Sequence, residues 1–477
     1  MTINSMTINS MTTLPPDFKA EIHDLLGDQR FLTDLDSLQH YGRDWTRFAQ
    51  PAPSAVTLPE TVEEVQAIVR AARRSGVALV PSGGRTGLSG GAMAAQGELV
   101  LSLERMNRIL ASDATSKSIT CQAGAVTAAV QEAAKQLGLM YPVDFASSGS
   151  SQIGGNIATN AGGIQVIRYG MTRNWVSGLK VVTGTGELLD LNRGLTKNNT
   201  GLDLRHLMIG SEGILGVIVE ATLQLCSPPQ DTGVAVLGMP SMTAIMSLLE
   251  RVQAHSTLLA FEFFSDLALE KVTNRHGVAR PLNTACPFYA LLEYERPGPE
   301  AEAVLLGLIE GAIEGGEVVD AVFSQNLAQA RALWRLREDI SETIAEWTPY
   351  KNDISTSVSG VPALIESIEV IVGQRYPHFE VVWYGHIGDG NLHLNILKPD
   401  SMALEEFQRH CKTVSAELFQ VVKDFGGSIS AEHGVGLLKK EFLHYSRSAE
   451  EIALMRAIKR LFDPDLILNP GKVFDLQ

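Results

Sequence analysis

Residues 61–76 read "TVEEVQAIVRAARRSG", with apolar Val65, Ile68, Val69 and Ala72 recurring at intervals of three and four. That spacing places one apolar face on a helix. Thr61 and Glu64 have the spacing of a reciprocal capping box at its start, and Gly76 marks its end. The short apolar strand "VALVP" follows at once, and then "SGGRTGLSGG". Further strands are predicted at "ELVLSL" and "SITCQAGAV", then a helix at "TAAVQEAAKQLG" that also stops on glycine. The first half thus alternates strand and helix, behind one or two small lead-in helices within residues 15–50. After "CSPPQD" (226–231) the texture changes. "LAFEFF", "FYALLEYE" and "FEVVWYG" read as strands among helices, which predicts an antiparallel sheet with helices on one face. The closing stretch "LFDPDLILNPGKVF" predicts a short helix and a Pro/Gly turn. The expected fold class is α+β. Its boundaries are lead-in residues 1–50, a first domain over 51–228, a second over 229–430, and a C-terminal segment over 431–477.

Composition narrows the function. A chain of 477 residues exceeds one ordinary core. Its 39 Lys+Arg against 54 Asp+Glu give a net charge of −15, which argues against nucleic acid or an anionic membrane as partner. A small anionic substrate needs only local cations. The four cysteines, Cys121, Cys226, Cys286 and Cys411, are widely separated and form no Cys-x-x-Cys pair. Zinc ribbons, iron–sulfur clusters and a disulfide framework are therefore not expected, and a reducing, cytoplasmic compartment is. No apolar run reaches eighteen residues, so no membrane span is expected. The repeat "MTINSMTINSMTT" lacks the basic and apolar regions of a secretory signal and reads as a disordered tail.

Glycine concentrates in three clusters between residues 83 and 216. "PSGGRTGLSGG" follows a strand, where glycine lets backbone N–H groups approach phosphate oxygens. It fits neither the Walker pattern nor Gly-x-Gly-x-x-Gly, so neither a P-loop nor a Rossmann domain is supported. "SSGSSQIGGNIATNAGG" is long and almost uncharged, as is a segment packed on a bulky ligand rather than bathed in water. "MIGSEGILGVIVEATLQL" has the same character and runs into a strand. Together with "YG" at 169–170, these segments resemble the flavin-binding domain of the vanillyl-alcohol-oxidase (PCMH-type) class, over about residues 40–475. The resemblance implies FAD held between two subdomains, with a substrate or cap domain and a C-terminal segment that returns to complete the active site. It implies that Pro81, Ser82, Gly83, Gly84, Arg85, Thr86, Gly87, Leu88 and Ser89 wrap the pyrophosphate. Ser147, Ser148, Gly149, Gly154, Asn156, Thr159, Asn160, Gly162, Tyr169 and Gly170 would line the flavin and adenine sides. So would Glu212, Gly213, Ile214 and Val217, with Asn469 closing the site. The first loop lacks histidine, so FAD is expected to be non-covalent.

"GHIGDGNLHLN" places His386 and His393 either side of a Gly-Asp-Gly turn, in a chain with eleven histidines. A single histidine is more often a core or surface residue than a ligand. The company points further: "NLHLN" reads as a strand, so His393 and Asn395 share a face. "AEHGVG" supplies Glu432 and His433. Two imidazoles and a carboxylate are the ligand set of a catalytic divalent metal. No His-Glu-x-x-His helix is present, which excludes that class of zinc protease. Both segments resemble the metal-dependent D-2-hydroxyacid dehydrogenases of the flavin class. The resemblance implies His386, His393 and Glu432 as metal ligands, Asn395 as a substrate contact, and His433 as catalytic base that also touches substrate. Zinc suits the role; manganese or another divalent ion accepts the same ligands.

"LWRLRE" followed by "YKNDIS" is similar to the substrate-anchoring segment of the members that act on D-2-hydroxyglutarate. Arg337 and Ser341 lie four apart on a predicted helix and so share a face, and Lys351 follows. Ser341 stands where threonine is expected. Two cations and a hydroxyl suit a dicarboxylate better than a monocarboxylate. The expected reaction is therefore oxidation of D-2-hydroxyglutarate to 2-oxoglutarate, ahead of D-lactate, D-malate or a glycolate-oxidase-type role. By resemblance the electron acceptor is electron-transfer flavoprotein or a quinone, and the assembly a homodimer.

Overall fold

The computed structural model describes residues 14–46 and 49–476. The repeat read as a disordered tail lies outside the described residues. The chain divides into two compact units. The first comprises residues up to Gly162, Met171–Ser227 and Glu432–Gln477; the second comprises Gly163–Gly170 and Pro228–Ala431.

In the first unit, β1 (Phe31–Leu32), β2 (Ala55–Thr57), β3 (Leu79–Ser82) and β4 (Leu99–Ser102) form one sheet in the order β1-β2-β4-β3. β2, β4 and β3 are parallel, and β1 runs antiparallel to β2. Alternate side chains serve two cores: Leu79 and Leu99 join the larger cluster, Val80 and Val100 the smaller. The helix Val62–Ser75 buries Val65, Ile68, Val69 and Ala72 against the larger one. Thr61 caps it, accepting from the Glu64 N–H at 3.2 Å. The reciprocal half of the expected capping box is not made. The Glu64 carboxylate instead accepts from the Glu60 N–H at 2.7 Å and takes Arg30 Nη1 at 2.8 Å on both oxygens. A guanidinium attracts a carboxylate more strongly than a neutral amide does.

The second sheet of this unit is antiparallel. It contains β5 (Ile109–Asp113), β6 (Ser118–Gln122), β7 (Val176–Thr183), β8 (Leu188–Leu191) and β9 (Gly216–Gln224) in the order β5-β6-β9-β7-β8. The C-terminal helix Ala449–Phe462 is tied to the same unit by the buried Lys459. Its ammonium donates to the Ile214 and Leu468 carbonyls, each at 2.7 Å, and pairs with buried Asp463. Removing one partner of a buried ion pair strands the other, so Lys459→Ala is expected to cost about 3 kcal/mol. Urea unfolding followed by circular dichroism measures this; an unchanged midpoint would show the tie to be dispensable.

The second unit is built on a seven-stranded antiparallel sheet. Its strands are β10 (Thr232–Met239), β11 (Leu258–Ser265), β12 (Phe288–Glu295), β13 (Asp320–Phe323), β14 (Tyr350–Ser355), β15 (Val381–Gly385) and β16 (Asn391–Ile396). The order is β13-β10-β12-β11-β15-β16-β14. Helices were expected on one face only. One face does carry them: Val234, Val236, Phe264, Leu291 and Val382 share a core with residues of the helices Asp266–His276, Leu327–Glu338 and Ile340–Thr343. The other face is covered as well. Ala235, Leu237, Phe261, Phe263 and Leu292 are buried, and the helix Met242–His255 packs on β10 and β11. The strands are apolar on both faces, so a half-solvated sheet would leave large apolar area in water.

Candidate active site

The three glycine clusters converge within the first unit. The first follows β3 directly. Gly84 is dictated by close backbone approach, because a Cβ there would lie 2.2 Å from the Ser150 carbonyl oxygen. Gly83 faces Gln152, the residue that precedes the helix Ile153–Thr159. Within that helix Asn156 is buried and donates to Thr127 at 2.7 Å. Asn160 ends it in the left-handed region, with φ of 51°. Asn469 joins the remaining parts: its amide donates to Gly91 O at 2.9 Å and Glu212 O at 2.7 Å. Gly213 lies beside both Pro81 and Asn469.

Two residues assigned to this cradle turn elsewhere. The Arg85 guanidinium lies on the Tyr41 ring and within 3.0 Å of His40. The Glu212 carboxylate accepts the N–H groups of Val435 at 2.7 Å and Gly436 at 2.8 Å. Burial pushes the Glu212 acid above the usual carboxylate range, and those two N–H groups oppose the shift. Glu212 thus anchors the loop that follows Glu432 and His433. Ser89 O anchors it too, accepting from Leu437 N–H at 2.9 Å. Gly434, at φ of 81°, packs on the Glu212 carboxylate, where a side chain would be both strained and crowded. Within this loop His433 Nε2 lies 3.5 Å from Glu432 Oε1.

Among the described residues, the buried Ser82 Oγ, Gln152 Oε1 and Asn469 Oδ1 have no hydrogen-bond partner. Buried polar atoms are normally paired. Three such atoms beside the glycine loops fit a polar ligand, so the residues present suit FAD. Gln152 was not singled out from sequence, although it sits inside the second cluster. Thr86, Gly87 and Leu88 lie in the first loop; Ser147, Ser148, Gly149, Gly154, Thr159 and Gly162 lie in or beside the second. Ile214 and Val217 are buried at the start of β9. Tyr169 and Gly170 fall with the second unit, where the helix Val166–Tyr169 packs on β11.

The second unit holds the remaining candidates. The turn Ile387–Asp389 closes on Gly390 at φ of 84° and returns the chain along β16. It brings the His386 and His393 rings to a centroid separation of 5.4 Å. The register of β14 on β16 sets Asp353 beside His393 and Lys351 beside Asn395. Tyr384 of β15 flanks His393 from the other side. One sheet face therefore presents Lys351, Asp353, His393, Asn395 and Tyr384 together. Buried Asp353 lies 3.7 Å from His393 Nδ1 and is held by Asn391 at 2.9 Å. Lys351 donates to Ser341 Oγ at 3.0 Å. Burial holds its ammonium below the ordinary lysine range. Asn395 is buried, and its Oδ1 has no partner among the described residues.

The expected single helix through Arg337 and Ser341 is interrupted. Leu327–Glu338 ends at Asp339, and a separate helix spans Ile340–Thr343. Asp339 stands at the junction, where its N–H still donates to the Arg335 carbonyl at 3.1 Å and its carboxylate pairs with Arg335 at 2.9 Å. Arg337 is not a freely offered cation. It stacks on Tyr384 and lies 2.8 Å from Glu262 Oε2, off the line of a directed hydrogen bond, while its buried Nε has no partner. Glu262 also accepts from His386 Nδ1 at 2.8 Å. Sequence reading passed over Glu262, yet it was visible as the one acid inside apolar "LAFEFF".

The model of the FAD-linked oxidase C-terminal domain matches residues 228–473, and that of an FAD-binding domain matches residues 53–192. The chain belongs to the FAD-linked oxidases. It is therefore an FAD-dependent oxidoreductase. It is 57% identical to the D-2-hydroxyglutarate dehydrogenase of Stutzerimonas stutzeri, over 95% of this chain and 98% of that one. It is 37% identical to the mitochondrial D-2-hydroxyglutarate dehydrogenase of Bos taurus, over 93% and 81%. Among solved structures, p-cresol methylhydroxylase superposes with a TM-score of 0.78 at 16% identity, covering 96% of this chain and 97% of that one. That likeness establishes the PCMH-type fold expected from the glycine clusters. As in sequence, so in structure, none of the described helices of this FAD-linked oxidase is long and apolar enough to cross a membrane. None of the four cysteines is joined in a disulfide.

Proposed function

We propose that this FAD-linked oxidase converts D-2-hydroxyglutarate to 2-oxoglutarate. The observation that carries the proposal is the row on one sheet face: the buried Lys351–Ser341 pair beside Asn395, two positions along from His393. A buried ammonium with a hydroxyl and an amide suits a carboxylate. The relatives at 57% and 37% identity bear the name of that activity. His386 and His393 serve as metal ligands, with Glu432 as the third by resemblance. The His386 ring fits this role because a carboxylate already occupies its Nδ1 side, as is usual for a ligating histidine. When bound, FAD accepts the hydride from Cα, and a divalent cation such as zinc polarises the substrate hydroxyl. Lys351 and Ser341 hold the distal carboxylate, Arg337 offers its unpartnered Nε, and Asn395 orients the substrate. His433 takes the hydroxyl proton. Electrons pass onward to electron-transfer flavoprotein or a quinone, in a cytoplasmic homodimer.

The test is anaerobic bleaching of the flavin absorbance with D-2-hydroxyglutarate and D-lactate at equal concentration. Faster bleaching by the first is expected. Preference for lactate would remove Lys351 from the substrate site and favour the D-lactate dehydrogenase reading.

A further inference from the structure

Glu262 stands at a junction that neither the family match nor the expected ligand set explains. It lies on β11, with its side chain only 1% exposed. One oxygen accepts from His386 Nδ1 at 2.8 Å; the other lies 2.8 Å from the Arg337 guanidinium, itself 8% exposed. Arg337 is in turn stacked on Tyr384, 4.7 Å from the ring centroid. Tyr384 is the cross-strand neighbour of His393. A buried carboxylate needs a countercharge and hydrogen bonds. Here Arg337 supplies the countercharge and His386 the hydrogen bond to Oε1, while Oε2 accepts no hydrogen bond among the described residues.

We propose that Glu262 is a positioning residue for the metal, acting through His386 and held in place by Arg337. This rests on the reading of His386 as a ligand. An Nδ1–H bonded to a carboxylate fixes the neutral ring in the tautomer whose lone pair is on Nε2, and it makes that nitrogen more basic. Arg337 keeps the carboxylate from rotating away, because leaving Glu262 would strand a buried cation. Arg337 thereby has a role besides any contact with substrate. A purely structural ion pair would predict something different. It would matter for folding and leave metal affinity untouched.

The experiment is a titration of the metal-stripped, FAD-loaded protein with zinc chloride against a chromophoric chelator. Flavin content and the melting temperature are recorded in parallel. Glu262→Gln presents a single acceptor oxygen and turns an amide NH2 toward either His386 or Arg337. It is expected to weaken zinc binding about 10- to 100-fold, the range typical of lost outer-shell partners, with flavin content unchanged. His386→Ala is the control and should lose the zinc site. Wild-type affinity in Glu262→Gln, with zinc lost in His386→Ala, overturns the role of Glu262 and keeps the ligand reading. Wild-type affinity in His386→Ala overturns both. Should Glu262→Gln fail to fold, the double variant Glu262→Gln/Arg337→Met removes both members of the ion pair and decides the question by the same titration. A 10- to 100-fold loss there supports the role, and unchanged affinity overturns it.

Discussion

His433→Asn is expected to slow flavin reduction by D-2-hydroxyglutarate about 10²- to 10⁴-fold, the usual contribution of a positioned general base. The substitution is close in size and keeps one polar contact while removing the basic nitrogen. Its neighbours argue that the loop survives. Val435 and Gly436 are fixed by Glu212, Leu437 by Ser89, and none of these bonds uses the His433 side chain. Flavin content should therefore stay at the wild-type level. Stopped-flow bleaching under nitrogen, with the flavin spectrum of the resting protein as control, measures both. Full speed in His433→Asn would mean that another group takes the hydroxyl proton. Slow reduction with flavin also lost would mean that the loop, not the base, has been damaged.

Lys351→Met is expected to lower kcat/KM for D-2-hydroxyglutarate about 10- to 100-fold, as when a charge-assisted hydrogen bond is lost from a buried site. The loss should fall mainly on KM, because the distal carboxylate is remote from the reacting carbon. D-lactate has no distal carboxylate, so its kcat/KM should change little. The same residue predicts a pH dependence. Burial lowers the Lys351 pKa from 10.5, so the ammonium is lost at a lower pH than for a free lysine. Only the ammonium attracts the carboxylate. KM should therefore be lowest on the acid side of that titration and rise as pH increases through it. Lys351→Arg keeps its charge throughout and should flatten that rise. Equal effects of Lys351→Met on both substrates would place the lysine in the fold rather than in the site.

Much of this protein was legible in its sequence. Short apolar runs bounded by turn residues located the strands, and a period-3.6 pattern located the helix Val62–Ser75, because a helix that buries one face must repeat it with its own geometry. The glycine clusters pointed to a bulky ligand, since small residues are needed where backbone meets one, and only their resemblance to a flavin-binding domain made that ligand FAD. The Gly-Asp-Gly turn allowed His386 to fold back toward His393, and the structure brings the two rings to 5.4 Å. What the tertiary structure decided were the partners of charges. Glu64 has the spacing of a capping-box residue, but Arg30, 34 positions away, takes its carboxylate. Arg337 reads as a solvated or substrate-facing cation, yet Glu262, distant in sequence, lies against it. Glu212 reads as cofactor-lining, but its carboxylate serves the loop after His433. A hydrophobic face is a property of one segment, repeated along it and so visible in it. An ion pair or a buried hydrogen bond is a property of two segments, and only folding brings the second one to the first.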